Sequence, residues 1–170
     1  VAMKVAVIDY GMGNLRSVSK ALEHVAPQAE VLVTSEAKVV AAADRVVFPG
    51  QGAMPDCMRE MDSRNLLPAV LAAARDKPFL GICIGLQMLF DSSEEGDTQG
   101  LGIFPGQVRR FPASAAAQGA GGRLKVPHMG WNQVHQKGPH RLWAGIEDAS
   151  RFYFVHSYYA NPSARNLVAA

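Results

Sequence analysis

The chain has 170 residues, 48% apolar and 19% charged, with a formal net charge of +2. That length supports one domain with a substantial core. A charge so near balance, with no basic run longer than Arg109-Arg110, excludes an electrostatic nucleic-acid binder, and no stretch approaches the roughly 18 apolar residues of a membrane span. Two cysteines make no disulfide framework, so a reducing, cytoplasmic setting is expected. Lys4 precedes only the short run Val5 to Ile8, which reads as a strand and not as a secretory leader, and Met3 is read as the native start.

In chain order, Lys4 to Asp9 is apolar on both faces, as a buried parallel strand is. Tyr10-Gly11-Met12-Gly13 comes next, and Asn14 caps a helix carrying Leu15, Val18, Leu22 and Val25 on one side until Pro27 stops it. Glu30 to Thr34 is the second strand, Ser35 to Ala43 a short helix and Arg45 to Phe48 the third strand. After Pro49-Gly50-Gln51-Gly52, two helical segments run to Arg75 with a break near Pro68, and Phe79 to Ile82 is the fourth strand. This alternation predicts an α/β fold, a doubly wound and mostly parallel sheet with ligands at the carboxyl ends of the strands. Beyond Thr98 the pattern changes. Leu101 to Phe104, Gln107 to Phe111, Arg123 to Val126, Trp131 to His135 and Arg151 to Tyr159 read as strands of a partly antiparallel extension, with Ala113 to Gly122 a surface loop.

The richest stretch is Phe79 to Phe90. A strand changes at Cys83 to helical spacing, with Leu86, Leu89 and Phe90 on one face, and Gly81 and Gly85 stand at the offsets of a nucleophile elbow. A side chain at either glycine would clash where strand turns into helix. A cysteine in the first turn faces unpaired N–H groups and the positive end of the dipole, and the N–H of Ile84 points to where an oxyanion would form. A buried core cysteine is the competing reading. Pro49-Gly50-Gln51-Gly52 is either a plain turn or a strap in which a peptide flips to offer an N–H, and both readings stand.

Gly11-x-Gly13 lacks the third glycine of a dinucleotide fingerprint, and no phosphate-binding Lys loop occurs. No cofactor is expected. The five histidines show no helical metal-ligand spacing, so no metal is expected either, while His128 and His156 lie in strand-like stretches where a base can sit. Cys57, among Met54, Met58 and Met61 of an expected helix, reads as a core or partly exposed thiol. Trp131 and the tyrosines 153, 158 and 159 read as core or as interface anchors.

Together, Gly81-Ile82-Cys83-Ile84-Gly85-Leu86-Gln87, Asp9 to Leu15, Pro49-Gly50-Gln51-Gly52, Pro127 to Asn132 and Phe154 to Tyr158 resemble the class I glutamine amidotransferases, in particular the branch serving histidine biosynthesis. The resemblance runs from Met3 to Ala170. It implies a single domain over 3–170 in which Cys83 attacks the carboxamide of L-glutamine, ammonia leaves and water hydrolyses the thioester. Ile84 and, after a flip, Gly50-Gln51 would form the oxyanion hole. Gly52, Gln87, Glu95 and the backbone at Ser157 and Tyr158 would hold glutamine. Asn14, Trp131 and Tyr153 would face a (β/α)8-barrel cyclase that turns the ammonia into imidazole glycerol phosphate and an aminoimidazole carboxamide ribotide.

Two departures stand out. The family's base is a His two residues before a Glu near the C-terminus, and no His-x-Glu occurs in these 170 residues. The domain is therefore expected to lack its C-terminal segment. Gln51 also stands where the family commonly has Val. The competing functions are a non-catalytic module binding a barrel partner and a different cysteine hydrolase using His128 or His156. The 170-residue polypeptide is expected to release negligible ammonia from glutamine, even with the cyclase present; normal turnover in that assay would contradict the missing base.

Overall fold

The computed structural model describes residues 2–112 and 125–170. The expected loop Ala113 to Gly122 and the first half of the expected strand Arg123 to Val126 lie outside the described residues; Lys125 and Val126 are not in a strand.

Strands β1 (Lys4–Ile8), β2 (Glu30–Thr34), β3 (Arg45–Gly50) and β4 (Phe79–Cys83) form a parallel sheet in the order β2-β1-β3-β4. The unbroken apolar runs of β1 and β3 are explained by their two covered faces. Val5, Val7 and Val47 point to one side, where Leu15, Val18 and Leu22 of α1 (Leu15–Val25) pack on them. Ala6, Ile8, Val46 and Phe48 point to the other and meet Val40 of α2 (Ala37–Ala42), Met54, Cys57 and Met61 of α3 (Met54–Ser63) and Val70 and Ala73 of α4 (Leu67–Asp76). Each fully buried side chain of this size contributes roughly 1.5–3 kcal/mol.

Local signals place the ends. Asn14 Oδ1 accepts the N–H of Ser17 at 3.4 Å, and α1 closes at Ala26, before Pro27. The break between α3 and α4 falls at Asn65, whose φ is 56°, and not at Pro68. Pro68 sits in the first turn of α4, where a missing N–H costs nothing. The Lys77 ammonium donates to the carbonyls of Val40, Ala41 and Ala43, closing the C-terminus of α2 where the helix leaves its last oxygens unpaired.

The helix expected to run from Cys83 through Phe90 is corrected by the structure. Helix α5 covers only Ile84–Gln87, and Phe90 opens strand β5 (Phe90–Ser93). The reason is a competing set of hydrogen bonds: the carbonyls of Met88, Leu89 and Phe90 accept from Leu101, Ile103, Phe104 and Gly102 instead of continuing the helix. Those donors also explain why Leu101 to Ile103 are not a strand. Leu86 consequently lies 42% exposed while Leu89 and Phe90 are buried, so the three do not share a face.

A second sheet has the order β10-β7-β5-β6, from β5, β6 (Thr98–Gln99), β7 (Phe104–Arg110) and β10 (Tyr158–Pro162). Its β5–β7 pair is parallel and the other two pairs antiparallel. Strands β8 (His128–Gln133) and β9 (Arg151–His156) form a separate antiparallel ribbon, shifting the expected strand Trp131 to His135 towards the N-terminus. The expected strand Arg151 to Tyr159 is divided at Ser157, where the chain passes from the ribbon into the second sheet.

Glu94 ties β7 to the turn after β5. Its carboxylate accepts the Arg110 N–H at 2.7 Å and the Arg109 Nε–H at 3.3 Å. The Arg110 backbone N–H, with help from Arg109, holds the carboxyl below its ordinary value of 4.5. A depressed carboxylate adds stability above the ordinary value and loses it as pH falls through the lowered one. Thermal melts from pH 7 downward should therefore show Glu94→Gln less stable at neutrality, with the gap to wild type closing below about pH 4.

Candidate active site

The carboxyl ends of β1, β3 and β4 bring Tyr10, Gly50 and Cys83 to one rim of the first sheet, with Gly50 opposite Cys83 in the β3–β4 register. Cys83 is the residue at which strand becomes helix. Its φ of 57° and ψ of −119° fall where glycine is at ease and a side chain is not, a strain of about 1–3 kcal/mol. The thiol is exposed, which settles the competing reading of a core cysteine against it. Helix α5 is a single turn, so Cys83 faces the unpaired N–H groups of that turn and not a long macrodipole.

Three glycines make this corner possible. A Cβ on Gly85 would overlap the carbonyl of Phe48 in β3. On Gly81 it would meet the Leu86 Cα at 2.8 Å and the Gly85 oxygen at 2.9 Å. On Gly50 it would lie 2.6 Å from the Gly85 nitrogen. The clash expected at Gly81 and Gly85 is thus observed, and Gly50 joins them from the neighbouring strand.

Cys83 opens into a cleft of about 480 Å³. Gln51, Gly52, Ile84, Gln87 and Glu95 line it, together with His156, Ser157 and Tyr158 from the end of β9 and the start of β10. Of the residues singled out in the sequence for the nucleophile, oxyanion and glutamine sites, all but the buried Gly50 line this cleft. Gln87 is 7% exposed and its Oε1 has no partner among the described residues, an orphaned acceptor in the cleft wall. An unpaired buried amide oxygen costs about 1–3 kcal/mol, which a ligand's N–H would recover. Glu95 has a structural duty as well: its Oε2 accepts the Met54 N–H at 2.9 Å and so caps α3.

Two residues behind the rim complete the arrangement. The Tyr10 hydroxyl donates to the Pro49 carbonyl at 2.7 Å, and the Cys57 thiol donates to the Gln51 carbonyl at 3.4 Å. Burial pushes the phenol and the thiol up, so both stay protonated as donors. Tyr10 had one sequence signal, a hydroxyl on an apolar strand end, whereas Cys57 read only as a core or partly exposed thiol.

His156 lines the cleft, and its ring is committed. Its Nδ1 lies 2.9 Å from the Tyr158 carbonyl and must carry a proton to bond it. Its Nε2 is then the acceptor for the His128 Nδ1 at 3.2 Å. In this tautomer, assigned from the bonding pattern, both ring nitrogens of His156 are engaged, while the Nε2 of His128 keeps its lone pair but His128 does not line the cleft. None of the other histidines lines the cleft. No group of three or more His, Cys, Asp or Glu among the described residues is placed to hold a metal ion.

Trp131 and Tyr153 are cross-strand partners on the ribbon, edge to face at 5.5 Å, and 66% and 55% exposed. With Met129 and Val155, also paired and exposed, they make an apolar stripe on one ribbon face. Tyr159, by contrast, stacks on Phe111. Asn14 is exposed at the start of α1, and its side chain is used as that helix's cap.

A glycine-framed strand-to-helix corner presents an exposed cysteine to a cleft bordered by a glycine-rich strap. Residues 6–169 match the glutamine amidotransferase class-I family, and the chain belongs to it. Within that family it is similar to the imidazole glycerol phosphate synthase subunit HisH of Thiobacillus denitrificans, 64% identical over 169 residues that cover 99% of this chain and 74% of that one. The HisH subunit of Dechloromonas aromatica is 68% identical over 164 residues, covering 96% and 76% of the two chains. In fold it is similar to a glutamine amidotransferase crystal structure, with a TM-score of 0.66, 15% identity and coverage of 95% and 75%. A putative GMP synthase protein from Thermoplasma acidophilum gives a TM-score of 0.60 at 15% identity, covering 94% and 67%.

Because a methyl group at position 85 has nowhere to go, Gly85→Ala is expected to lose about 3 kcal/mol or more in urea unfolding. Cys83→Ser in the same titration should stay near wild type.

Proposed function

We infer that this chain is the glutamine-hydrolysing subunit of an imidazole glycerol phosphate synthase, acting in the cytoplasm on L-glutamine and delivering ammonia to a (β/α)8-barrel cyclase. The observation that carries this reading is the exposed Cys83 on its strained elbow, sharing one cleft with the orphaned Gln87 acceptor. The identity to HisH subunits supports the choice of synthase.

In this reading the glutamine side-chain amide enters beside Cys83, with the substrate's ammonium group directed to the Gln87 Oε1 and Glu95. The Cys83 sulfur adds to the carboxamide carbon. Negative charge then collects on the amide oxygen, where the Ile84 N–H and an N–H from the Gly50-Gln51 strap stabilise it more than the ground state. Collapse expels ammonia and leaves a γ-glutamyl thioester, which water hydrolyses to glutamate and free thiol. The proton of Cys83 ends on the leaving ammonia, and His156, with both ring nitrogens engaged by His128 and the Tyr158 carbonyl, is not free to carry it. That engagement also weighs against a hydrolase using His156 as its base.

Trp131 and Tyr153, exposed and packed edge to face, have the make-up of an interface anchor. They support the barrel cyclase as the covering partner, with Asn14 on the same sheet rim as the nucleophile.

A glutamine analogue bearing a γ-diazoketone tests the reading. Intact-mass analysis should show one adduct, located at Cys83 by peptide mapping, blocked by excess glutamine and absent in Cys83→Ala. An adduct on Cys57 instead, or labelling indifferent to glutamine, would overturn it.

A further inference from the structure

The strap leaving β3 contains three consecutive peptide units, and the two outer ones are tied from behind. The Pro49–Gly50 unit is held through its carbonyl by the Tyr10 hydroxyl, and the Gln51–Gly52 unit through its carbonyl by the Cys57 thiol. Both donors are fully buried in the main core cluster, so neither is free to wander. The unit between them, Gly50–Gln51, can rotate by changing only ψ of Gly50 and φ of Gln51, leaving its neighbours in place. Glycine is needed at the pivot twice over, since a Cβ there would also lie 2.8 Å from the Tyr10 oxygen.

We propose that Tyr10 and Cys57 are positioning residues, a two-point clamp that confines turning of the strap to the Gly50–Gln51 peptide and so aims the Gln51 N–H at the cleft. The proposal rests on the glutaminase reading, which already assigns the turn to Gly50–Gln51, and adds what holds the neighbouring units still. An oxyanion donor is useful only if it arrives in one orientation. A strap free at all three peptides would spread its donors over many.

Residue-resolved amide hydrogen exchange on the 170-residue chain, without ligand, tests the clamp. The Gln51 amide should exchange fastest of the three at positions 50, 51 and 52. Tyr10→Phe, which removes one hydroxyl and keeps the ring, should speed exchange at Gly50 about tenfold, the worth of one hydrogen bond, and leave Gly52 within about twofold. Cys57→Ala should do the reverse, and Cys57→Ser, which restores a donor, should return Gly52 close to wild type. A purely structural role would move both amides together in either variant. Equal responses, no response, or failure of serine to rescue would each overturn the clamp. Should Tyr10→Phe not fold, the Cys57 pair decides alone. A Cys83 that ignores the glutamine analogue would defeat the glutaminase reading without altering this exchange pattern, so the two failures are distinguishable.

Discussion

The backbone of Gly85 rests against the carbonyl of Phe48 with no room for a single carbon atom between them. That contact sets the distance between the strand that carries the strap and the turn that carries the nucleophile. It governs the pairing of Gly50 with Cys83, the sharing of one cleft by Cys83, Gln51 and Gly52, and the emergence of α5 directly from the sheet edge. A strand-to-helix corner this tight has no slack to absorb a side chain, because the atoms it would displace are backbone and not the ends of flexible residues.

Around that corner the two cysteines illustrate how placement decides chemistry. Cys83 is exposed at a rim beside unpaired N–H groups; Cys57 is sealed in the core with a carbonyl as its partner. The first is available as a nucleophile. The second is a small apolar body with one weak donor, and burial keeps its proton on. Tyr10 shows the same economy: its ring fills the core beside Phe48, 5.5 Å between centroids, while its hydroxyl reaches the rim. The interior and the cleft are therefore one structure, with core side chains supplying the hydrogen bonds that shape the working edge.

Much of this was legible in the residues themselves. Buried parallel strands announce themselves by continuous apolar runs, and β2 fell on Glu30–Thr34 as expected. The elbow was legible because only glycine at both flanks makes sense of a cysteine at a strand's end. The extent of α5 was not, because its end depends on hydrogen bonds to residues 101–104, brought there by the path of the chain and invisible in local spacing. The division at Ser157 escaped for a similar reason, since a strand that changes sheets keeps its apolar pattern on both sides. The ring commitments of His128 and His156 needed the register of β8 on β9. That Trp131 and Tyr153 are exposed and not core needed the ribbon, a sheet separate from the two larger ones.

The dihedral angles of Cys83 carry a consequence for the balance between reactivity and robustness. Glycine would occupy that backbone without protest, so the sulfur is retained at a site where removing it should relax the chain by about 1 kcal/mol. A Cys83→Gly protein, chemically mute, would then outlast its parent on heating. Selection for durability alone would favour glycine here, so a cysteine on this backbone is held against a standing conformational cost.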